Sequence, residues 1–577
     1  MKNKGLDFNF FIGIFLIFGI LAWFKSTQIP LETDLNENKA LYSDIKSQEE
    51  QSNQSQNTST ISHHESSLVS KDDANSYELS NNLLNIKISD YGAAIEEVVL
   101  KNYYTYDSLE LKLIDDFNFN FSFFLKNKQI NTNEIIFSDV VQNKTSLSFQ
   151  FEDQQGNGIT FIYKLLPNSY VLNFEVLTED GDSYIEPNKL VWSQNVNQLE
   201  KNIDNERNAT TINYSVNNKS SKKLSLMKDA DKTIEAPVWV AHKQQFFSTI
   251  IYSKNAFKTA NLTISSPDED EYVKSLNSEF DIHYDNQKTQ YIFDLYFIPN
   301  KHSLLSSFDK GFESLVPLGW GIFGWVNEFL VIPMFHFLEN FGLNYGLIIL
   351  IIALVIKVIL FWPTKSSYLS MAKMRVLKPE IDLINEKIED PVQRQQSHMA
   401  LYRKTGVNPL GGCLPLLFQM PILIALFQFF PSSIELRQQS FLWADDLSTY
   451  DSILDLGFSI PLYGDHVSLF ALLMTMATVL QMVYSNQMSS QNAQMPQMKY
   501  VMYTMPIIFL FVMNNYSSAL SYYYFLANII TFAQQAIIRH SIDDKKLYAM
   551  LQENKKKPIK KSKFQQRLEE MAKKPRR

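Results

Sequence analysis

Residues 343–362 read LNYGLIILIIALVIKVILFW, a run long and apolar enough to cross a bilayer as a helix, yet Lys357 stands inside it. A charge within the hydrocarbon costs roughly 3 kcal/mol or more unless it snorkels, pairs or faces a wet cavity, so such a residue is a functional candidate by default. Lys357 precedes Trp362 by about 8 Å at helical rise, which leaves two readings open. Either the ammonium snorkels to the nearer headgroup layer, or it faces a hydrated notch among other helices. The residues just beyond the run bear on the second reading. Pro363-Thr-Lys-Ser-Ser-Tyr-Leu-Ser-Met-Ala-Lys-Met-Arg375 is basic and Met-rich, and it leads into a long, soluble-looking helical region.

The rest of the chain is uneven around this run. Of 577 residues 45% are hydrophobic, but the apolar ones cluster at 8–24 and beyond Leu343. The net charge of −8 conceals a basic end, because residues 545–577 hold thirteen Lys or Arg against three Glu. That end reads either as a solvated, partly helical tail or as a contact for ribosomal RNA or anionic lipid. A single cysteine, Cys413, excludes an intrachain disulfide framework. The nine histidines are scattered, and His63-His64 lacks partners at metal-ligand spacing, so no metal and no cofactor are expected.

Residues 8–24, FNFFIGIFLIFGILAWF, follow Lys2 and Lys4 as a signal sequence would, but bulky Trp23 and Phe24 stand where a small-residue cleavage site is needed. A retained anchor with a cytoplasmic N-terminus is expected. About 32–76 is Ser, Gln, Asn, Glu and Asp, too polar to offset ordering entropy, and reads as a flexible linker. From Tyr77 to about Asn300 apolar residues alternate: Leu84, Ile86, Ile88; Phe117, Phe119, Phe121, Phe123; Leu147, Phe149, Phe151; Leu172, Phe174, Val176. Period two over many short runs predicts a large antiparallel β-sandwich. It carries no nucleophile elbow, phosphate loop or metal motif.

Residues 312–342 mix Trp320, Phe323, Trp325, Phe329, Phe335 and Phe337 with Glu328, His336 and Glu339, a pattern for a helix lying in the membrane interface. A buried helix of the soluble domain is the alternative. After Lys357, residues 371–387 and 391–404 read as a charged helical hairpin separated by Glu389-Asp390-Pro391. Eight Lys or Arg lie between Lys357 and Gly412, whereas 431–466 has only Arg437 among six Asp and Glu. The first loop is therefore expected inside and the second outside. Spans at 414–430, 467–484, 500–512 and 520–538 complete six crossings with both ends cytoplasmic. Pro415, Gln419, Pro421, Gln428, Pro506 and Asn528 interrupt these spans, so their polar groups must face protein or water. The many methionines suit core packing or an adaptable apolar surface.

Ser370-Met-Ala-Lys-Met-Arg375, Asn408-Pro-Leu-Gly-Gly-Cys-Leu-Pro415, Gln419-Met-Pro421 and Glu435-Leu-Arg437, in that order, resemble the YidC/Oxa/Alb family of membrane protein insertases. The resemblance runs from about Gly319 to His540. With the retained anchor and large extracytoplasmic domain, the chain is similar to the Gram-negative YidC type of that family. What this implies is a multi-domain membrane protein: six transmembrane α-helices, one an N-terminal anchor and five an insertase core, with a large periplasmic antiparallel β-supersandwich similar to sugar mutarotase folds. The domains would be an anchor at 1–25, a linker at 26–78, the β-sandwich at 79–314 and an interfacial helix at 315–342. The core would span 343–540 with a cytoplasmic hairpin at 364–412, and the basic tail 541–577.

The resemblance further implies a groove open to cytoplasm and lipid and closed outside, holding one positive residue, here Lys357 where the family commonly has arginine. Lysine keeps the charge and loses the planar fork that grips carboxylates bidentately. Gln419, Asn528 and Tyr524 would line the groove. Met420, Pro421, Met505 and Pro506 would form an apolar slide for the substrate helix. Lys373, Arg375, Arg403 and Lys404 would mark the hairpin for substrate capture and partner contact. The implied partners are nascent membrane proteins, the Sec translocon, membrane lipid and, through the tail, the ribosome; no DNA is involved. Apolar partitioning at about −0.3 to −0.6 kcal/mol per favourable residue would drive insertion without a nucleotide. Two other classes compete: a transporter or channel using Lys357 for an anionic solute, which calls for inverted repeats, and a tethered carbohydrate module. No repeats are visible in the sequence.

Overall fold

The structure is a computed structural model describing residues 74–556, apart from 116, 126–127, 153–157, 179–184, 226–227, 254–256, 268–271, 284–289, 409–410, 412–413 and 489–495. The expected anchor, most of the linker, Cys413 and the tail beyond Lys556 lie outside the described residues. The chain divides into two compact units after Val316.

The first unit is built of antiparallel sheets. A four-stranded sheet takes the strands Ser76–Ser80, Leu84–Ser89, Ile95–Tyr104 and Glu110–Ile114 in sequence order. A nine-stranded sheet runs through the strands that begin at Lys222, Thr211, Trp239, Phe247, Gln290, Val171, Gly158, Ser146 and Asp139. A six-stranded sheet runs through those that begin at Ala230, Thr259, Lys274, Ile185, Phe117 and Lys128. The last two face each other, as ring contacts across the gap attest: Phe121 meets Phe161 at 5.3 Å and Phe119 meets Phe174 at 5.4 Å. The alternating residues Leu84, Ile86, Ile88, Phe119, Phe121, Phe123, Leu147, Phe149, Leu172, Phe174 and Val176 are all buried. Successive side chains on a strand point to opposite faces, so a period of two delivers one apolar face to the core.

The sandwich also encloses polar groups. His242 packs beside Trp192, with ring centroids 5.5 Å apart, and its Nε2 is 2.9 Å from Ser278 Oγ. Burial depresses its imidazole to about 3. Lys243 and Lys274 donate to the carbonyls of Ala209 (3.0 Å) and Thr210 (2.9 Å), which end the short helix Ile203–Ala209. Burial lowers the first ammonium to about 7 and the second to about 8.

The second unit is helical. Its entry is Ile322–Val326, a π-helical turn Asn327–Val331 and Ile332–Glu339. The longer helices described beyond it are α1 (Tyr345–Ile359), α2 (Phe361–Val376), α3 (Lys378–Lys387), α4 (Pro391–Thr405), α5 (Leu414–Phe429), α6 (Leu469–Met488), α7 (Pro496–Met513), α8 (Ser518–His540) and α9 (Asp544–Lys556). Between α5 and α6 a connection carries the hairpin strands Leu454–Ile460 and Gly464–Val467.

Three sequence expectations change. The helix expected over 343–362 stops at Ile359, and α1 and α2 meet at a 58° bend. Pro363 explains the break, because its ring has no N–H for the Ile359 carbonyl four residues back and clashes with it. Among the described residues no single helix is long and apolar enough to cross a membrane, and the bent α1–α2 pair is. The arm expected over 371–387 breaks at Leu377, where Pro379 stands in the same relation to Arg375. The start of the basic tail is not a free tail, since α9 buries Leu547 and Leu551.

Candidate functional site

Asn344 caps α1 by accepting from the Gly346 amide (2.9 Å). Gly346, Ile349, Ala353 and Lys357 then recur at helical spacing on one buried stripe, while Leu354, Val358 and Ile359 face outward. Lys357 thus occupies a core position of its helix and is only 4% exposed. Its Nζ donates to Gln419 Oε1 of α5 at 3.0 Å. Among the described residues no carboxylate pairs with it. An ammonium carries three N–H donors, so a single neutral acceptor leaves the charge uncompensated.

Around this lysine the helix break is itself held. Ending α1 removes the amide that would have satisfied the Lys357 carbonyl, and Gln534 Nε2 of α8 donates to it instead at 3.0 Å. Thr364 Oγ1 returns to the Leu360 carbonyl (2.6 Å), and Gln535 of α8 donates to the Tyr368 hydroxyl of α2.

The end of the bundle where α1 begins, about 20 Å along its axis from Lys357, is closed by the α5–α6 connection. Phe441 lies over Gly346 so closely that a Cβ there would fall 2.1 Å from the ring. Asp451 accepts from Trp443 Nε1 (2.8 Å), the Phe470 amide (3.0 Å) and Ser468 Oγ. Asn514, at the end of α7, donates to the carbonyls of Tyr463 (2.8 Å) and His466 (2.9 Å) and accepts from the Ser468 amide (2.9 Å). At the other end the described residues form no such cap. There α2, α3, α4, α8 and α9 share a small apolar cluster of Tyr368, Met371, Met374, Leu377, Ile381, Tyr402, Val407, Ile538 and Leu551. Ser370 Oγ donates to the Asn408 carbonyl (2.7 Å), and a Cβ on Gly411 would come within 2.6 Å of that hydroxyl, which joins the two motif blocks in space.

Residues 336–546 match the family 60Kd inner membrane protein, and 76–336 match the YidC periplasmic domain. "Membrane protein insertase YidC" of Parabacteroides distasonis is 41% identical over 518 residues, covering 85% of this chain and 82% of its own. The protein of the same name from Bacteroides fragilis is 36% identical over 607 residues, covering 98% and 97%. The chain belongs to the YidC family of membrane protein insertases. As a member of the YidC family it is a bacterial inner-membrane protein with a periplasmic domain of antiparallel sheets. Among solved structures, a galactose mutarotase-like protein from Lactobacillus casei covers 39% of this chain and 100% of its own at 12% identity and a TM-score of 0.29. Nothing about sugar chemistry follows from that.

The residues expected to form the groove divide. Gln419 meets Lys357 directly. Asn528 Nδ2 donates instead to Thr478 Oγ1 of α6 (2.7 Å), and Tyr524, buried, reaches the Leu423 carbonyl (3.4 Å) and the Phe509 ring (5.9 Å). Of the expected slide residues Met420 and Met505 are exposed, Pro421 is half-buried and Pro506 is buried, so Pro506 does not contribute surface. On the hairpin Lys373 is half-buried, Arg403 and Lys404 are exposed, and Arg375 is engaged by Asp544 of α9 at 2.6 Å. Sequence reasoning missed Gln534, Asp451 and Asn514, whose roles depend on long-range partners. It also missed Asn327, buried in the entry segment, which donates to the carbonyls of Leu318 (2.7 Å) and Ala425 (2.8 Å). The polar interruptions of apolar helices were the one usable signal, and for Gln534 the same rule applied.

Proposed function

We propose that this chain inserts, folds and helps assemble integral membrane proteins, alone or with the Sec translocon, with Lys357 as the intramembrane cation that draws in the acidic tail of a substrate. One observation carries the reading: Lys357 is held inside the helical unit by the neutral Gln419, with further N–H donors to offer. A buried ammonium in this state gains by meeting a carboxylate, and low surrounding polarity strengthens the attraction. The closed α1-start end stops the tail from leaking straight through. The substrate's apolar segment moves along Met420, Met505 and the neighbouring exposed apolar residues Leu417 and Ile508, and its partition into lipid supplies the free energy.

In this reading the chain crosses the membrane six times with both termini cytoplasmic. The α3–α4 hairpin receives substrates through Arg403 and Lys404, and the basic tail meets the ribosome. Photo-crosslinking from positions 357 and 420 to a stalled nascent membrane protein tests it. Adducts are expected at both. Adducts from Leu354 on the outward face of α1, with none from 357 or 420, would overturn it.

A further inference from the structure

The hairpin at 454–467 presents a rigid apolar tip that the insertase reading leaves unused. Its strands pair Leu454 with Val467, Asp455 with His466 and Ile460 with Gly464. Ile453, Leu454, Phe458 and Leu462 are exposed, Phe458 to 64% and Leu462 to 88%. Charge sits only at the base, on Asp455 and Asp465. The tip, Leu456-Gly-Phe-Ser-Ile-Pro-Leu-Tyr-Gly464, has no charged residue, and from Gln438 to Met498 the sequence holds neither Lys nor Arg.

Mobility does not account for this exposure, because the turn is fastened to α7. The Tyr463 carbonyl accepts from both Asn514 and Asn515 (2.8 Å each). The Tyr463 ring packs edge-on against Phe511, with centroids 5.2 Å apart. Phe511 adjoins the outward row Ile507, Ile508 and Val512, which faces lipid once α7 is placed in the bilayer. Tyr463 thus fixes the turn of the hairpin at the end of α7, next to Phe511 of that face.

We propose that the 454–467 hairpin is an interfacial anchor whose tip, Phe458 to Leu462, inserts into the outer leaflet of the bilayer beside α7. The proposal rests on α6 and α7 lying in the membrane, as the insertase reading has them. Lipid is the occupant favoured by the fastening of the turn beside the outward face of α7 and by the separation of an uncharged apolar tip from an acidic base, the arrangement of an element lying at a water–lipid boundary. A fixed hairpin here would hold the α5–α6 connection, and the closure it forms over Gly346, at constant depth.

The test uses the full chain with Cys413→Ser and one new cysteine at 458, 462 or 512, each labelled with an environment-sensitive nitrobenzoxadiazole dye. The labelled chain is reconstituted into phosphatidylethanolamine and phosphatidylglycerol vesicles. Because Leu462 has φ +67°, the probe at 458 gives a reading independent of backbone strain. Expected are blue-shifted emission at 458 and 462 and quenching by a headgroup-proximal lipid nitroxide at least about twofold stronger than by aqueous iodide. Iodide quenching at 458 and 462, with 512 in lipid, overturns the anchor and leaves the placement of α7 intact. Protection of 458 and 462 from both quenchers means that protein covers the tip and also overturns it. Iodide access at 512 overturns the membrane placement, and the anchor with it.

Discussion

Lys357→Met isolates the charge from the shape. Methionine has a similar length, fills the same space and asks for no hydrogen bond. Gln419 loses its donor, at a cost of about 1–3 kcal/mol if its carbonyl stays unsatisfied, which a second change, Gln419→Leu, removes. The gain available to a substrate carboxylate 4 Å from the ammonium is about 4 kcal/mol at an effective dielectric constant of 20 and about 1 kcal/mol in bulk water. A lysine only 4% exposed lies toward the first figure. At about 1.4 kcal/mol per tenfold in rate, insertion of an acid-tailed substrate should slow by between roughly fivefold and roughly a thousandfold. The assay is protease protection of a single-span reporter in proteoliposomes, with matched tails bearing Asp and Glu or Asn and Gln. The neutral tail should change less than about twofold, and Lys357→Arg should keep the acidic tail's advantage. Equal losses for both tails, with unchanged thermal stability of the variant, would show that the charge does not select the tail and would refute the reasoning.

Packing and titration give further expectations. Gly346→Ala places a Cβ 2.1 Å from Phe441, itself backed by Tyr522 at 5.0 Å, so overpacking should cost about 1–3 kcal/mol and lower the melting temperature; an unchanged melting temperature would mean that Phe441 is free to move. His242 has an unfolded value near 6.5 and a folded value of about 3. It therefore contributes stability that is complete above about pH 6.5 and lost as pH falls toward 3, at most about 5 kcal/mol. Hydrogen-exchange protection at residues 239–243, taken relative to the intrinsic exchange rate at each pH, should thus fall from pH 7 to pH 4 more in the parent than in His242→Asn; parallel profiles would exclude the buried imidazole as the cause. Glu380 accepts from Lys555, from Gln552 (2.6 Å) and from Tyr548 (3.4 Å). Burial pushes its carboxyl up, but the bonds from Lys555 and Gln552 outweigh this and the net displacement is downward. Glu380→Gln should loosen α9 by about 1 kcal/mol, seen as roughly fivefold faster proteolysis within 544–556 at neutral pH, and unchanged cleavage would place the hold on α9 in Leu547 and Leu551 alone.

Much of the fold was legible in the chain. Leu84, Ile86 and Ile88, or Phe119, Phe121 and Phe123, alternate because a pleated strand buries every second residue, and that pattern needs no knowledge of partners. The charged hairpin was legible from Asp390-Pro391, where the aspartate accepts from the amides of Val392 (3.4 Å) and Gln393 (3.0 Å). The breaks at Leu360 and Leu377 were readable in principle from Pro363 and Pro379. Docking of α9 left a fainter trace. Leu547 and Leu551 lie one turn apart with Tyr548, Gln552 and Lys555 beside them, but a tail so rich in lysine reads as solvated until Glu380 is brought to it.

Local rules account for the elements and for the oddity of Lys357, because alternation, capping and proline geometry act within a few residues of chain. They do not say which way that lysine turns. Gln419 lies in α5 and Gln534 in α8, far from it in sequence, and only the packing of α1, α5 and α8 together gives the ammonium one neutral partner and its carbonyl another. Tertiary structure likewise sent Asn528 to Thr478 and Pro506 inward, since burial is a property of the assembled bundle and not of any one helix.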